Sequence, residues 1–178
     1  NLFDRRNQFI VGSAFEYSRV KFKQFEQEIA TLDPDGTFSG DREEVEQNSG
    51  LQGKTYTSSI FATNNHAIND KWSINNSLRY NYVDIRNTDT FNGDDGPVSL
   101  SGDHDFDRLN PSVGLTFSPY DNLTTYGSYN EANRAPTSIE LGCANPENPC
   151  TLPTQMADDP PLEQVVAKTF EAGARGRF

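Results

Sequence analysis

Apolar and polar residues alternate with a period of two along most of the chain. In Arg108–Ser118, Leu109, Pro111, Val113, Leu115 and Phe117 share one parity, and Asn110, Ser112, Gly114 and Thr116 share the other. Trp72, Ile74, Asn76, Leu78, Tyr80 and Tyr82 oppose Ser73, Asn75, Ser77, Arg79, Asn81 and Val83. Phe170, Ala172, Ala174 and Phe178 oppose Thr169, Glu171, Arg175 and Arg177, while Phe9, Val11, Phe15 and Tyr17 oppose Gln8, Gly12, Ala14, Glu16 and Ser18, a polar side that Ile10 spoils. Alternation predicts half-buried strands, although 54–67 alternate poorly and 123–133 only fairly, and no segment repeats with the helical period. Six strands follow, over 8–24, 54–67, 72–86, 108–118, 123–133 and 165–178. Two connections are short and rich in turn residues, "INDK" (68–71) and "PYDN" (119–122). Three are long: 26–53, 87–107 and 133–164.

If the strands run up and down, both short turns fall at one end and all three long loops at the other. Long alternating strands with that asymmetry describe an outer-membrane β-barrel. Hydrocarbon satisfies no backbone hydrogen bonds, so spanning strands must pair edge to edge and close. Phe9, Trp72, Phe117, Tyr120 and Phe178 fall near the short-turn end, and Tyr17, Tyr82 and Tyr129 toward the other, as two interfacial girdles require. The reading is therefore all-β: an antiparallel up-and-down transmembrane β-barrel sector. Six strands are too few to close, since bacterial barrels begin at about eight.

Composition agrees. The chain of 178 residues is 34% hydrophobic, low for a packed soluble core, yet 11% aromatic, high for a disordered segment. No run of about 18 apolar residues exists to form a transmembrane helix. Asn1 is neither an initiator Met nor the start of a signal peptide, so residues 1–178 are expected to be one part of a longer chain. The net charge of -11 disfavours nucleic acid as a partner. The acids concentrate in 26–53, 87–107 and 134–163, the three long connections.

Candidate chemistry is sparse. Cys143 and Cys150, in "CANPENPC", read as a loop disulfide and hence an oxidising compartment, with two free thiols as the alternative. No His stands beside them to complete a metal site. Asp103, Asp105 and Asp107 would share one side of a strand, but they lack the spacing of a calcium loop and read as a solvated acidic loop. His104 lies between two of them without a nucleophile elbow, so no enzyme activity is expected. No motif for a cofactor appears. Arg79, Asn81, Arg134, Glu171 and Arg175 have lumen parity and are the candidates for a ligand path. Glu171 is expected to pair with Arg134 or Arg175.

"RLNPSVGLTFSPYDNLTTYGSYNEANRAPTSIEL" followed by "DPPLEQVVAKTFEAGARGRF" resembles the C-terminal barrel portion of TonB-dependent outer-membrane receptors. "SSIFATNNHAINDKWSINNSLRYNY" is similar to the preceding strand–turn–strand unit of that family. The resemblance covers 54–178, with 8–24 looser. It departs at Asn133, where an aromatic is common before Arg-Ala-Pro, and it keeps Pro111 inside a strand. The resemblance implies a sector of a roughly 22-stranded barrel with an internal plug in a Gram-negative outer membrane. It implies TonB-energised uptake of a scarce nutrient: a metal chelate such as a ferric siderophore, haem, cobalamin or a carbohydrate. TonB contact would belong to an N-terminal region absent here, and outer-membrane lipid would cover the wall. Two alternatives stand beside it: a soluble secreted β-sandwich that binds carbohydrate or mediates adhesion, and a passive porin-like channel.

Overall fold

The computed structural model describes residues 6–26, 34–36, 44–93, 99–143 and 162–177, with only the backbone of Glu26, Asn48 and Cys143. The chain forms one six-stranded antiparallel sheet in strict sequence order. Its strands are β1 (Asn7–Glu26), β2 (Glu46–Ala67), β3 (Trp72–Asp89), β4 (Gly102–Tyr120), β5 (Leu123–Arg134) and β6 (Val165–Gly176). A single curled sheet is a barrel sector, and it overturns the soluble sandwich, which needs two packed sheets. Both short turns lie at one end. In the first, the Asn69 side chain accepts from the Lys71 and Trp72 backbone N–H groups. This is the local bond that makes Asn a turn former.

Cross-strand register sorts the side chains cleanly. Val11 faces Ala62, Ala62 faces Leu78 and Leu78 faces Pro111, so these positions share one face. On that face Phe9, Phe15, Ile60, Leu109, Leu115 and Phe170 are all exposed. Trp72 stacks on Phe117 at 4.3 Å near the short turns, and Tyr17 meets Tyr56 at 5.1 Å toward the far end. On β3 the apolar band runs from Trp72 to Tyr82, which matches the roughly 9–11 residues of one bilayer crossing.

Strands β1 to β4 are 18 to 22 residues long, about twice such a crossing. The sequence reading cut them short. β2 begins at Glu46 rather than 54, β4 at Gly102 rather than 108, and β3 reaches Asp89. Above the band the outer face becomes polar while Leu51, Val83 and Ile85 are buried on the inner face, so the alternation that marks the band does not continue. Asp103, Asp105 and Asp107 accordingly lie in β4 on the outer face and not in a loop. No cluster of His, Cys, Asp or Glu suited to a metal occurs among the described residues.

Pro111 also finds its place. The β4–β5 ladder ends at Ser112 and Asn130, so the N–H that proline lacks falls where that ladder stops. Side chains take over beyond it. Arg108 pairs with Glu131 at 3.0 Å, and Asn110 donates to Asn133 at 2.7 Å.

The well-buried apolar side chains lie in the upper wall, on the face away from the exposed apolar band. Leu51 and Leu100 are nearly inaccessible and pack with Phe22 and Ile139. Ile139 belongs to a short helix, α1 (Ser138–Cys143), that follows β5 and is absent from the sequence reading. Six residues are too few to display a helical period.

Candidate functional site

The polar face of β2 and β3 carries linked hydrogen bonds. The Thr63 and Ser77 hydroxyls meet at 2.9 Å, and Asn75 donates to Asn65. Farther from the short turns, Arg79 donates from Nε to Asn81 Oδ1 at 2.8 Å and from Nη2 to Ser59 Oγ at 2.8 Å. Asn81 donates in turn to Asn133 Oδ1 at 2.9 Å, and Asn110 donates to the same oxygen. Asn133 Nδ2 donates to Gln164 Oε1 at 2.9 Å, and Gln164 donates to the Asp107 carbonyl. One asparagine thereby joins β3, β4, the end of β5 and the approach to β6. Its backbone parity alone would turn it to the outer face. Past Asn130, however, β5 is held only by β6, and the side chain turns toward Asn81 and Asn110.

After Arg134 the chain turns over this polar face. Thr137 and Glu140 form a reciprocal capping box: the Thr137 N–H donates to Glu140 Oε2 at 2.7 Å, and the Glu140 N–H donates to Thr137 Oγ1 at 3.2 Å. Both Glu140 oxygens also accept from Arg134, at 3.1 and 3.2 Å. The Arg134 guanidinium holds the Glu140 carboxyl below its ordinary range against the opposing effect of partial burial. This corrects the expected pairing. Arg134 is bound to Glu140, while Glu171 accepts from the Tyr126 hydroxyl at 3.1 Å. Arg175 lies opposite Thr124, near the short turns, and has no ion-pair partner among the described residues.

Two glycines seat the inserted segment. A Cβ on Gly53 would stand 2.2 Å from Ser138 Oγ, and one on Gly142 would stand 2.9 Å from Leu51 Cδ2. Asn87 fastens the same place by donating to the Ser138 carbonyl at 2.9 Å. Between the segment and the wall lies a groove of about 330 Å³. Ser18, Thr55, Thr57, Arg79, Asn81, Asn133, Thr137 and Ser138 supply its polar lining, and no carboxylate lines it among the described residues.

Of the five ligand-path candidates, Arg79 and Asn81 meet in this groove and Arg134 anchors the segment that covers it. Glu171 and Arg175 lie lower on β6, apart from it. Cys150, and with it the expected disulfide to Cys143, lies outside the described residues. Sequence reasoning missed Asn133, Gln164 and the β2 threonines. The Thr137–Glu140 spacing was the one available signal for the cap.

Residues 1–178 match the family described as TonB dependent receptor-like, beta-barrel. No curated protein matches the chain. Among solved structures, the siderophore receptor PiuA from Acinetobacter baumannii is similar, with a TM-score of 0.62 and 18% identity, over 100% of this chain and 27% of that one. The ferric citrate transporter FecA, unliganded, is similar with a TM-score of 0.61 and 15% identity, over 96% of this chain and 22% of that one. The chain thus spans about a quarter of the length of the solved structures it matches.

Proposed function

The chain belongs to the TonB-dependent receptor β-barrel family, and on that premise we propose that it is part of the wall of an outer-membrane receptor for active uptake of a scarce nutrient, energised through TonB. The reading rests on the two unlike faces of one sheet. Leu109, Leu115 and Phe170 stand exposed on one side, where lipid would cover them. On the other side a polar groove holds Arg79, Asn81 and Asn133 beneath a folded-in segment.

The groove favours an oxygen-rich ligand. Its hydroxyls and amides can each donate or accept, and Arg79 adds a positive charge that no carboxylate neutralises among the described residues. A ferric chelate presenting carboxylate, catecholate or hydroxamate oxygens fits that lining, and the two similar structures are a siderophore receptor and a ferric citrate transporter. In this reading Arg79 and Asn81 line the path, and Arg134 acts through Glu140 by holding the covering segment. Glu171 and Arg175 face the lumen below. The reading involves no catalytic step.

The test uses the full-length polypeptide in its native host. A deletion strain grown under iron limitation is assayed for uptake of radiolabelled ferric chelates, with and without a protonophore. The expected result is saturable uptake that is lost on deletion and abolished by the protonophore. Uptake that persists without inner-membrane energy would replace this reading with the porin-like channel. A polypeptide that fractionates away from the outer membrane would end it.

A further inference from the structure

On the outer face, one position beyond the tyrosine girdle, a row of cations crosses three strands. Tyr17 opposes Tyr56, and the next outward pair is Arg19 opposite Lys54. Lys54 in turn opposes Arg86. Strands lie about 4.8 Å apart, so three cationic side chains leave the wall within about 10 Å. Lys21 and Lys23 follow Arg19 on the same face of β1. Successive same-face positions are separated by roughly 6.7 Å along the strand.

Like charges placed directly opposite one another destabilise a sheet, and this row does so across two consecutive strand pairs. Only Arg86 is neutralised, by Asp84 at 2.8 Å, and its guanidinium also lies 5.8 Å from the Tyr56 ring centre. Arg19 donates to the uncharged Gln52. Among the described residues, Lys21, Lys23 and Lys54 have no carboxylate within ion-pair distance. The chain is otherwise strongly acidic, and outward acids lie beside this row, Asp84 on β3 and Asp103, Asp105 and Asp107 on β4, with Asp103 directly opposite Arg86. The cations of β1 and β2 are thus segregated without counter-charge, at the edge of an apolar band.

Tyrosines at the end of such a band sit at headgroup level, which sets the height of the row. We propose that Arg19, Lys54 and Arg86, with Lys21 and Lys23 behind them, bind the phosphate groups of an anionic lipid headgroup in the outer leaflet. The inference rests on the outer-membrane reading above. The groove is on the opposite side of the wall, so this site is separate from the ligand path. A lipid suits it better than a free anion because the acyl chains would lie along Phe15, Ile60 and Tyr82, directly below the cations. Anionic headgroups attract cations held at the membrane surface.

The experiment uses the full-length receptor folded in neutral detergent. Native mass spectrometry counts retained lipid on titration with bis-phosphorylated lipid A, with the same lipid after phosphatase treatment, and with inorganic phosphate as competitor. The expected result is selective retention of the bis-phosphorylated form, with affinity falling about tenfold or more in the Arg19→Gln, Lys54→Gln double variant. Equal retention of both lipid forms, or unchanged affinity in the variant, overturns the proposal. Displacement by millimolar inorganic phosphate overturns the lipid assignment in favour of a simple anion site. Heat-modifiable gel mobility of the wild type and variant shows that both are folded barrels. Its absence in the wild type would instead sink the outer-membrane reading.

Discussion

Replacing Glu140 by Ala removes two interactions at once, and the structure allows each to be weighed. The first is the hydrogen bond from the Thr137 N–H, one half of the capping box, whose loss costs about 0.5–1.5 kcal/mol. The second is the ion pair with Arg134, whose side chain is 57% exposed. Solvent screens such a pair, which leaves about 0.2–1 kcal/mol. Together they come to about 0.7–2.5 kcal/mol of local stability, a factor of about 3–70 in the closed population of the 135–143 segment. Hydrogen exchange of the amides in α1, measured on the full-length protein in detergent, should show protection falling by that factor. Glu140→Gln keeps an oxygen for the Thr137 N–H and should lose only the smaller, charge-dependent part. The pH dependence has a definite sign. The folded carboxyl lies below its ordinary value of 4.5, so its contribution is complete above that pH and disappears as pH falls through the lowered value. Protection unchanged in Glu140→Ala, or an equal loss in the Gln variant, would refute the assignment of the cap and the ion pair.

Three further outcomes follow from the same geometry. Burial pushes the Asp89 carboxyl up, but donation from the Asn92, Phe91 and Leu100 backbones outweighs it and holds the carboxyl below 3.8. Asp89→Ala leaves those N–H groups without their acceptor at a local cost of about 3 kcal/mol or more, so limited proteolysis within 90–101 should accelerate, and an unchanged rate would show that the carboxylate does not tie that connection. Gly53→Ala drives a methyl group into Ser138 and should loosen the covering segment, read as faster hydrogen exchange in 135–143 with unchanged barrel melting. Leu115→Lys on the lipid face should lower folding stability in bilayers by about 2–4 kcal/mol, whereas Thr116→Lys on the polar face should change it little; equal effects in denaturant titrations would contradict the two-faced wall.

The membrane band was legible because only there do the two faces of a strand meet different solvents. Leu109 to Phe117 alternates for that reason, and its register with Trp72–Tyr82 agrees with the parity. Along Gln47–Lys54 one face is polar and the other, with Ser49, Leu51 and Gly53, is buried under the inserted segment, so the strand persists but the pattern that betrays it does not. The groove was half visible. Arg79 and Asn81 have readable parity, but Asn133 reverses its own by turning at the frayed end of a ladder. The Arg134 partner was likewise hidden. Period-two reasoning looks across strands to Glu171, whereas the structure finds the acid six residues ahead in a capping turn. Glu171 and Arg175 share the correct face but not the correct height, because parity fixes a side and says nothing of depth.

Asn133 and Gln164 fasten the departure and the return of the β5–β6 connection at a single point on the wall. A loop whose two ends are already held together is insensitive to its own length, since each doubling adds only about 0.6 kcal/mol of closure entropy. Insertions there need not be transmitted to the strands below. In the proposed uptake role the wall is thus a constant chassis, and the connection between β5 and β6 can be rewritten while the membrane-facing architecture stays as it is.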